Sequence, residues 1–208
     1  LSDQPGRDRQ DTSAASLTWA ASRPALDIET VVTLATSDTE YSFDEDWSFI
    51  GIAPELEYSS FDRYLRDRDS FSGQLRLLSN EQSRLFEGRS DWTAGVYYLG
   101  DREDLDREYT YLDAPFNSRY DTDTGAMFGQ LDTRLTDHLT LSSGLRLERR
   151  RTDYADNNGV AERVAKNLWG ARLVLEYQPA DGALWYGGIS RGYRGNGVNA
   201  GILASAGA

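Results

Sequence analysis

The chain has 208 residues, 39% of them hydrophobic, with a mean hydropathy of -0.61, and no apolar run approaches the ~20 residues of a membrane-spanning helix. A membrane barrel is not excluded, because only every second residue of its strands faces lipid and averaging hides the signal. The formal net charge of -12 argues against a nucleic-acid partner, the lack of cysteine removes disulfides and thiolate sites, and 19 Gly and 12 Tyr against 5 Pro favour strands and turns.

Period-two alternation recurs along the chain. A weak first strand is expected over about 12–22. From Leu26, the residues Leu26, Ile28, Thr30, Val32 and Leu34 share one face, and Asp27, Glu29, Val31 and Thr33 take the other. Next, Phe71, Leu75 and Leu77 oppose Ser72, Gln74 and Arg76, and Trp92, Ala94, Val96 and Tyr98 alternate with Thr93, Gly95 and Tyr97. Met127, Gly129, Leu131, Thr133 and Leu135 oppose Gln130, Asp132 and Arg134. The clearest case sets Leu139, Leu141, Leu145 and Leu147 against Thr140, Ser142, Gly144, Arg146 and Glu148. Trp169, Ala171, Leu173, Leu175 and Tyr177 then oppose Gly170, Arg172, Val174 and Glu176, and a weak eighth strand falls at about 183–193. Roughly ten residues at ~3.3 Å each, tilted by ~40°, cover the ~25 Å apolar band of an outer-membrane barrel.

The connections are expected to alternate in length. Arg23-Pro24-Ala25, Thr136-Asp137-His138 and Gln178-Pro179-Ala180-Asp181-Gly182 are short, and Ser79 to Ser90 is middling. Stretches 37–69, 100–124 and 151–166, rich in Asp, Glu, Arg and Tyr, read as long loops on the opposite side. An up-and-down meander with short turns on one side and long loops on the other is the layout of an outer-membrane barrel. Trp19, Trp92, Trp169 and Trp185 fall in strands, several near strand ends, as amphipathic rings at a lipid–water boundary do. Core aromatics of a soluble β-sandwich are the alternative. Polar faces carrying Asp27, Glu29, Gln74, Arg76, Gln130, Asp132, Arg134, Arg146, Glu148 and Arg172 would be costly in a dry sandwich core, but suit a wet lumen or a solvated sheet face.

With short turns towards the periplasm, both chain ends fall on the long-loop side, whereas a whole bacterial barrel is expected to begin and end in the periplasm. No secretory leader is visible at Leu1-Ser2-Asp3-Gln4-Pro5-Gly6, and no closing strand follows Gly201. The expectation is therefore an internal piece of a larger barrel.

The strands also carry a resemblance. Ser72-Gly73-Gln74-Leu75-Arg76-Leu77, then Trp92-Thr93-Ala94-Gly95-Val96-Tyr97-Tyr98, resemble consecutive strands of TonB-dependent outer-membrane receptors. Phe128-Gly129-Gln130, Leu135-Thr136-Asp137 and Leu141-Ser142-Ser143-Gly144-Leu145-Arg146-Leu147-Glu148 are similar to that family's following series. Ser190-Arg191-Gly192-Tyr193-Arg194-Gly195-Asn196-Gly197-Val198-Asn199 resembles its Gly-Tyr-Lys segment, with Arg194 and Val198 in place of Lys and Phe and, earlier, Leu147 in place of Tyr. The resemblance covers about 70–199. It implies an all-β, antiparallel up-and-down transmembrane barrel wall: about eight strands, over residues 1–208, of a barrel of ~22 strands. It also implies a bacterial outer-membrane location, with lipid bilayer and lipopolysaccharide as surroundings. The implied activity is energy-coupled uptake of a scarce nutrient such as a ferric siderophore, without bond chemistry or cofactor. TonB would act through a plug domain and TonB box that have no counterpart in these residues.

Candidates for touching a substrate are Arg76, Arg134, Arg146 and Arg172 on the polar faces and Tyr109, Tyr111 and Tyr120 in the expected loops. Tyr41, Tyr58 and Tyr64 also stud those loops, where burial is the plainer expectation. His138, the single histidine, sits in a short turn and reads as structural; one His and no Cys leave zinc or haem ligation unsupported. Asp101, Glu103, Asp104 and Asp106 form an acidic loop without EF-hand spacing, so a solvated loop is expected rather than a calcium site. Arg149, Arg150 and Arg151 read as interfacial anchors that could also grip lipopolysaccharide phosphates or an anionic iron chelate. Gly192-x-x-Gly195-x-Gly197 is not a phosphate loop, since no helix follows a buried strand. A passive porin, a small eight-stranded membrane barrel and, less favoured, a soluble binding module stay open as alternatives.

Overall fold

In the computed structural model, which describes residues 2–53, 55, 58–179, 182–195 and 197, eight antiparallel strands form one sheet in strictly sequential order. They are β1 (Arg7–Arg23), β2 (Leu26–Asp44), β3 (Phe61–Leu78), β4 (Ser90–Tyr109), β5 (Phe116–Thr136), β6 (Leu139–Asp156), β7 (Ala161–Tyr177) and β8 (Trp185–Arg191). No helix is present among the described residues. Part of the turn after Tyr177, part of the Ser190–Asn199 stretch and the tail from Val198 lie outside those residues.

Register turns the alternation into rows across the sheet. Trp19, Thr30, Leu75, Val96, Met127, Leu147 and Trp169 are successive cross-strand partners. Two positions along, so do Leu77, Ala94, Gly129, Leu145 and Ala171, and then Trp92, Leu131, Ser143, Leu173 and Ile189. Every apolar set expected from the sequence therefore falls on the same face. That face is bare: Leu17 is 71%, Met127 59% and Ile189 74% exposed. Buried apolar side chains among the described residues are only Leu105, Phe116 and Tyr154, all on the opposite face, which is the concave one. A single layer with its greasy rows outward is a barrel wall, and it excludes the sandwich, whose apolar faces would meet in a dry centre.

The edges of the apolar band step down through the register. Leu34 and Phe71 share a row, Tyr98 lies one row lower, and Met127, Leu147 and Trp169 lie lower again. The lower edge descends likewise, from Leu77 to Trp92 to the Leu139, Tyr177 and Trp185 row. A band that is level in the membrane crosses tilted strands on such a staircase, which is the stagger barrel closure requires.

The strands are longer than the sequence indicated. β1 to β7 have 17 to 21 residues each. At ~3.3 Å per residue and ~40° tilt they rise roughly 45 Å, nearly twice the ~25 Å band. The expected long loops at 37–69, 100–124 and 151–166 are mostly strand, and the connections shrink to 45–60, 110–115 and 157–160. On the other side they are 24–25, 79–89, 137–138 and 178–184. Connection length thus does not alternate strictly. The two sides differ instead by how far the paired strands run past the band, held there by cross-strand ion pairs such as Arg102–Asp121 and Arg119–Asp104, both 2.7 Å.

The short-turn side is knit together. Asn80 Nδ2 donates to the carbonyls of Arg23 (2.9 Å) and Pro24 (3.2 Å), tying neighbouring turns. Phe86 and Glu87 have φ of 52° and 59°, and Arg134 locks this reversal by donating to the Gly88 carbonyl at 3.2 Å. His138 Nδ1 lies 3.0 Å from the Gln178 carbonyl, a structural tie between two turns.

Placing a cation in the lipid row should be far more damaging than placing one beside it. We expect Met127→Arg to destabilise the protein in bilayers by about 2–4 kcal/mol, and Ala126→Arg, one residue away on the concave face, by less than about 1 kcal/mol. Reversible denaturant unfolding in liposomes measures both.

Candidate functional site: the concave wall and its mouth

The concave face is a charged and aromatic wall. Low on it, Arg76 pairs with Glu29 at 2.6 Å, Arg172 Nη2 donates to Gln130 Oε1 at 2.9 Å, and Gln130 in turn donates to Asp132 at 2.7 Å. Higher, Arg146 grips Glu148 through Nε (3.1 Å) and Nη2 (2.8 Å) and stands 5.2 Å from the centre of the Tyr97 ring. Tyr193 completes that cluster: its hydroxyl accepts from Arg146 Nε and donates to Glu148, both at 2.9 Å. Arg76, Arg146 and Arg172 therefore lie on this face, each already held by a polar neighbour. Arg134 is spent on its turn.

Above the band, β2, β3 and β4 bring a second group together. Tyr41 and Tyr64 are cross-strand partners with ring centres 6.4 Å apart, and Phe43 packs beside Tyr41 at 5.7 Å. Arg107 forms a two-pronged ion pair with Asp62, at 2.8 and 2.6 Å, with side chains only 11% and 5% exposed. Its guanidinium also lies 4.9 Å from the Tyr64 ring centre and 5.2 Å from that of Tyr109. Tyr109 meets Tyr111 edge-on at 5.4 Å, and Tyr58 follows at 6.5 Å from Tyr111. The result is an arginine-centred aromatic cluster at the mouth of the wall, suited to flat or anionic ligands.

The 45–60 connection is moored to this cluster. Tyr109 donates to Glu45 at 2.9 Å, and the fully buried Ser60 donates through its hydroxyl to Glu45 and Asp46. Asp46 also accepts from the Ser48 hydroxyl (2.6 Å), the Ser48 N–H (2.8 Å) and the Ser60 N–H (2.6 Å). The Ser48 hydroxyl bond and the two N–H bonds outweigh desolvation and hold the Asp46 carboxyl below its ordinary range. Burial, reinforced by Tyr111 and nearby carboxylates, pushes the Tyr58 hydroxyl upward.

Tyr109 and Tyr111 thus come together, whereas Tyr120 lies elsewhere on the wall, edge-on to Tyr154 at 6.4 Å. Tyr41, Tyr64, Tyr109 and Tyr120 are strand residues, not loop residues; Tyr58 and Tyr111 alone lie in connections. Phe43, Asp62 and Arg107 were not anticipated, although Tyr41 and Phe43 already showed the two-residue spacing that puts them on one face. The supposed acidic loop is part of β4, and alternation splits it. Asp101 and Glu103 face inward to Arg68 (2.8 Å) and Arg66 (3.6 Å), while Asp104 faces outward to Arg119. No group of three or more metal-binding side chains occurs among the described residues. Arg149 to Arg151 also alternate: Arg149 and Arg151 face outward, and Arg150 faces the interior.

The TonB dependent receptor-like β-barrel family model matches residues 1–206, and the chain belongs to that family of outer-membrane receptors and transporters, which are not enzymes. Among solved structures, it is similar in fold to the ferric yersiniabactin uptake receptor FyuA from Yersinia pestis, with TM-score 0.67 and 17% identity over 87% of this chain and 28% of that one. The unliganded ferric citrate transporter FecA gives TM-score 0.73 at 15% identity over 89% and 28%. The siderophore receptor PiuA from Acinetobacter baumannii gives 0.69 at 12% over 89% and 32%. The chain thus spans about a third or less of these proteins. No curated protein matches the sequence.

Two outcomes test the mouth. Arg107→Met strands the buried Asp62 carboxylate and should cost about 3–5 kcal/mol, most of it recovered in Arg107→Met/Asp62→Leu, as read by thermal unfolding of the full-length receptor. Because the Asp46 carboxyl is depressed in the folded state, its support for the 45–60 connection is complete above the ordinary aspartate range. That support is lost only as pH falls through the lower folded value. Amide-exchange protection at Ser48 and Ser60 should therefore survive acidification to about pH 4 and collapse below it, whereas Asp46→Ala should lack it even at neutral pH.

Proposed function

We propose that the chain is the partial wall of an energy-coupled receptor that takes up a small, scarce nutrient across the bacterial outer membrane, with a ferric siderophore as the leading substrate class. The observation that carries this reading is the coupling of two surfaces in one sheet: a lipid-facing apolar band outside, and an arginine–tyrosine mouth above a polar wall inside. Family membership supports it, as do the ferric-chelate uptake roles in the names of FyuA and FecA. Arg107, Tyr64, Tyr109 and Tyr111 would meet the ligand first, and Tyr120, Arg146, Arg172 and Arg76 would line its way inward. On this reading, further strands and a plug complete the barrel, and TonB acts on that plug. On the same reading the bilayer surrounds the band outside, and Arg149 and Arg151 would meet lipopolysaccharide phosphates.

Radioiron uptake by cells expressing the full-length receptor, supplied with a panel of ferric siderophores, tests the proposal. Uptake of at least one chelate should vanish on deletion of TonB or collapse of the proton gradient. Uptake that persists under both conditions would mark a passive pore instead.

A further inference from the structure

Two cations stand side by side on the interior wall with no counter-charge between them among the described residues. Arg150 on β6 and Lys166 on β7 are direct cross-strand partners on the concave face, with Thr124 on the other side of Arg150. Like charges placed opposite each other in a sheet repel, and sheets normally avoid the arrangement or interleave a carboxylate. Here none is available. Glu148, two residues along β6, already accepts from Arg146 and Tyr193. Among the described residues, neither Arg150 nor Lys166 has a hydrogen-bonding or ion-pair partner for its side chain, and the Arg150 Nε is buried with its hydrogen unmet. A buried donor left unpaired costs about as much as a lost hydrogen bond, more when charged.

The surroundings hold the guanidinium in place. The chain leaving β8 crosses the concave face, fixed by the Tyr193 hydroxyl between Arg146 and Glu148. A Cβ at Gly195 would stand 2.9 Å from Arg150 Nη1 and 3.0 Å from its Cδ, and one at Gly197 would stand 2.7 Å from the Tyr120 hydroxyl. These two glycines let the backbone lie directly on Arg150 and Tyr120, which accounts for the Gly195-x-Gly197 pattern that phosphate binding did not. On β5, Thr124 in the Arg150 row lies eight residues below Phe116 in the Arg107 row, roughly 26 Å down the wall from the mouth.

We propose that Arg150 and Lys166 form an anion subsite inside the barrel that takes a carboxylate group. A planar guanidinium with a free Nε–H is shaped for two-pronged carboxylate recognition, and the ammonium beside it adds charge without demanding geometry. The carboxylate comes from a polycarboxylate cargo descending the wall, an assignment that rests on the uptake reading, or from an acidic side chain of the plug.

The test uses the purified full-length receptor in detergent, titrated calorimetrically with citrate and, as a neutral control, glycerol triacetate. Citrate should bind and the triester should not. Arg150→Gln and Lys166→Gln should each weaken citrate roughly tenfold or more, the loss of one charge-assisted contact, with Arg150→Lys, which keeps the charge but not the fork, weakened less than Arg150→Gln. Removing one of two facing like charges should leave thermal stability unchanged or raised. If the plug supplies the carboxylate, citrate binding will be absent, and Arg150→Gln will instead expose the plug to protease; that result also supports the subsite. Variants that alter neither citrate binding nor plug protection overturn the proposal, as does a drop in stability unaccompanied by either change. Neither readout involves TonB or transport, so failure of the uptake reading leaves this result interpretable.

Discussion

Everything in this wall depends on one constraint: in hydrocarbon, every backbone N–H and C=O must find its partner within the protein. A sheet whose strands pair in unbroken sequential order meets that demand with neighbours alone, which frees the side chains to serve two solvents. Because successive residues point to opposite faces, one strand can present Leu145 to lipid and Arg146 to water without a buried core. The staircase of band edges from Leu34 to Trp169 follows from the same geometry, since tilted strands must enter a level membrane at progressively shifted registers.

Above the band the constraint relaxes, and electrostatics takes over from hydrophobicity. Both faces are wet there, and the strands persist because charges pair across them: Arg68 with Asp101, Arg119 with Asp104, and Arg63 between Glu40 and Glu108. Exposed pairs of this kind contribute little singly, about 0–1 kcal/mol each, so the extension relies on a ladder of them together with its backbone bonds. Where a pair is shielded, as with Arg107 and Asp62, it fixes the aromatic rings around it and gives the mouth a set shape.

This division explains which features the sequence disclosed. Within the band, alternation of apolar and polar residues marked each strand and assigned Leu139 to Leu147 and Trp169 to Tyr177 to the correct faces. Beyond it, both faces are polar, so alternation of hydropathy disappears and stretches such as 100–106 read as loops although they are strand. The same loss hid the mouth. Asp62 and Arg107 are 45 residues apart in the chain, and only register places them together. The inward arginines Arg76, Arg146 and Arg172 were legible because they alternate with leucines or other apolar residues. Arg150 was not, because it lies in a run of three arginines where no hydropathy contrast tells inside from outside.

The central claim, that neighbouring residues of one strand meet different solvents, is tested most directly by spin labels placed singly from Leu139 to Leu147 on β6 of the full-length receptor in a bilayer. Labels at 139, 141, 143, 145 and 147 should collide with dissolved oxygen and be shielded from a water-soluble nickel chelate, and labels at the intervening positions should show the reverse. Uniform accessibility along the strand, or the opposite phase, would contradict the account.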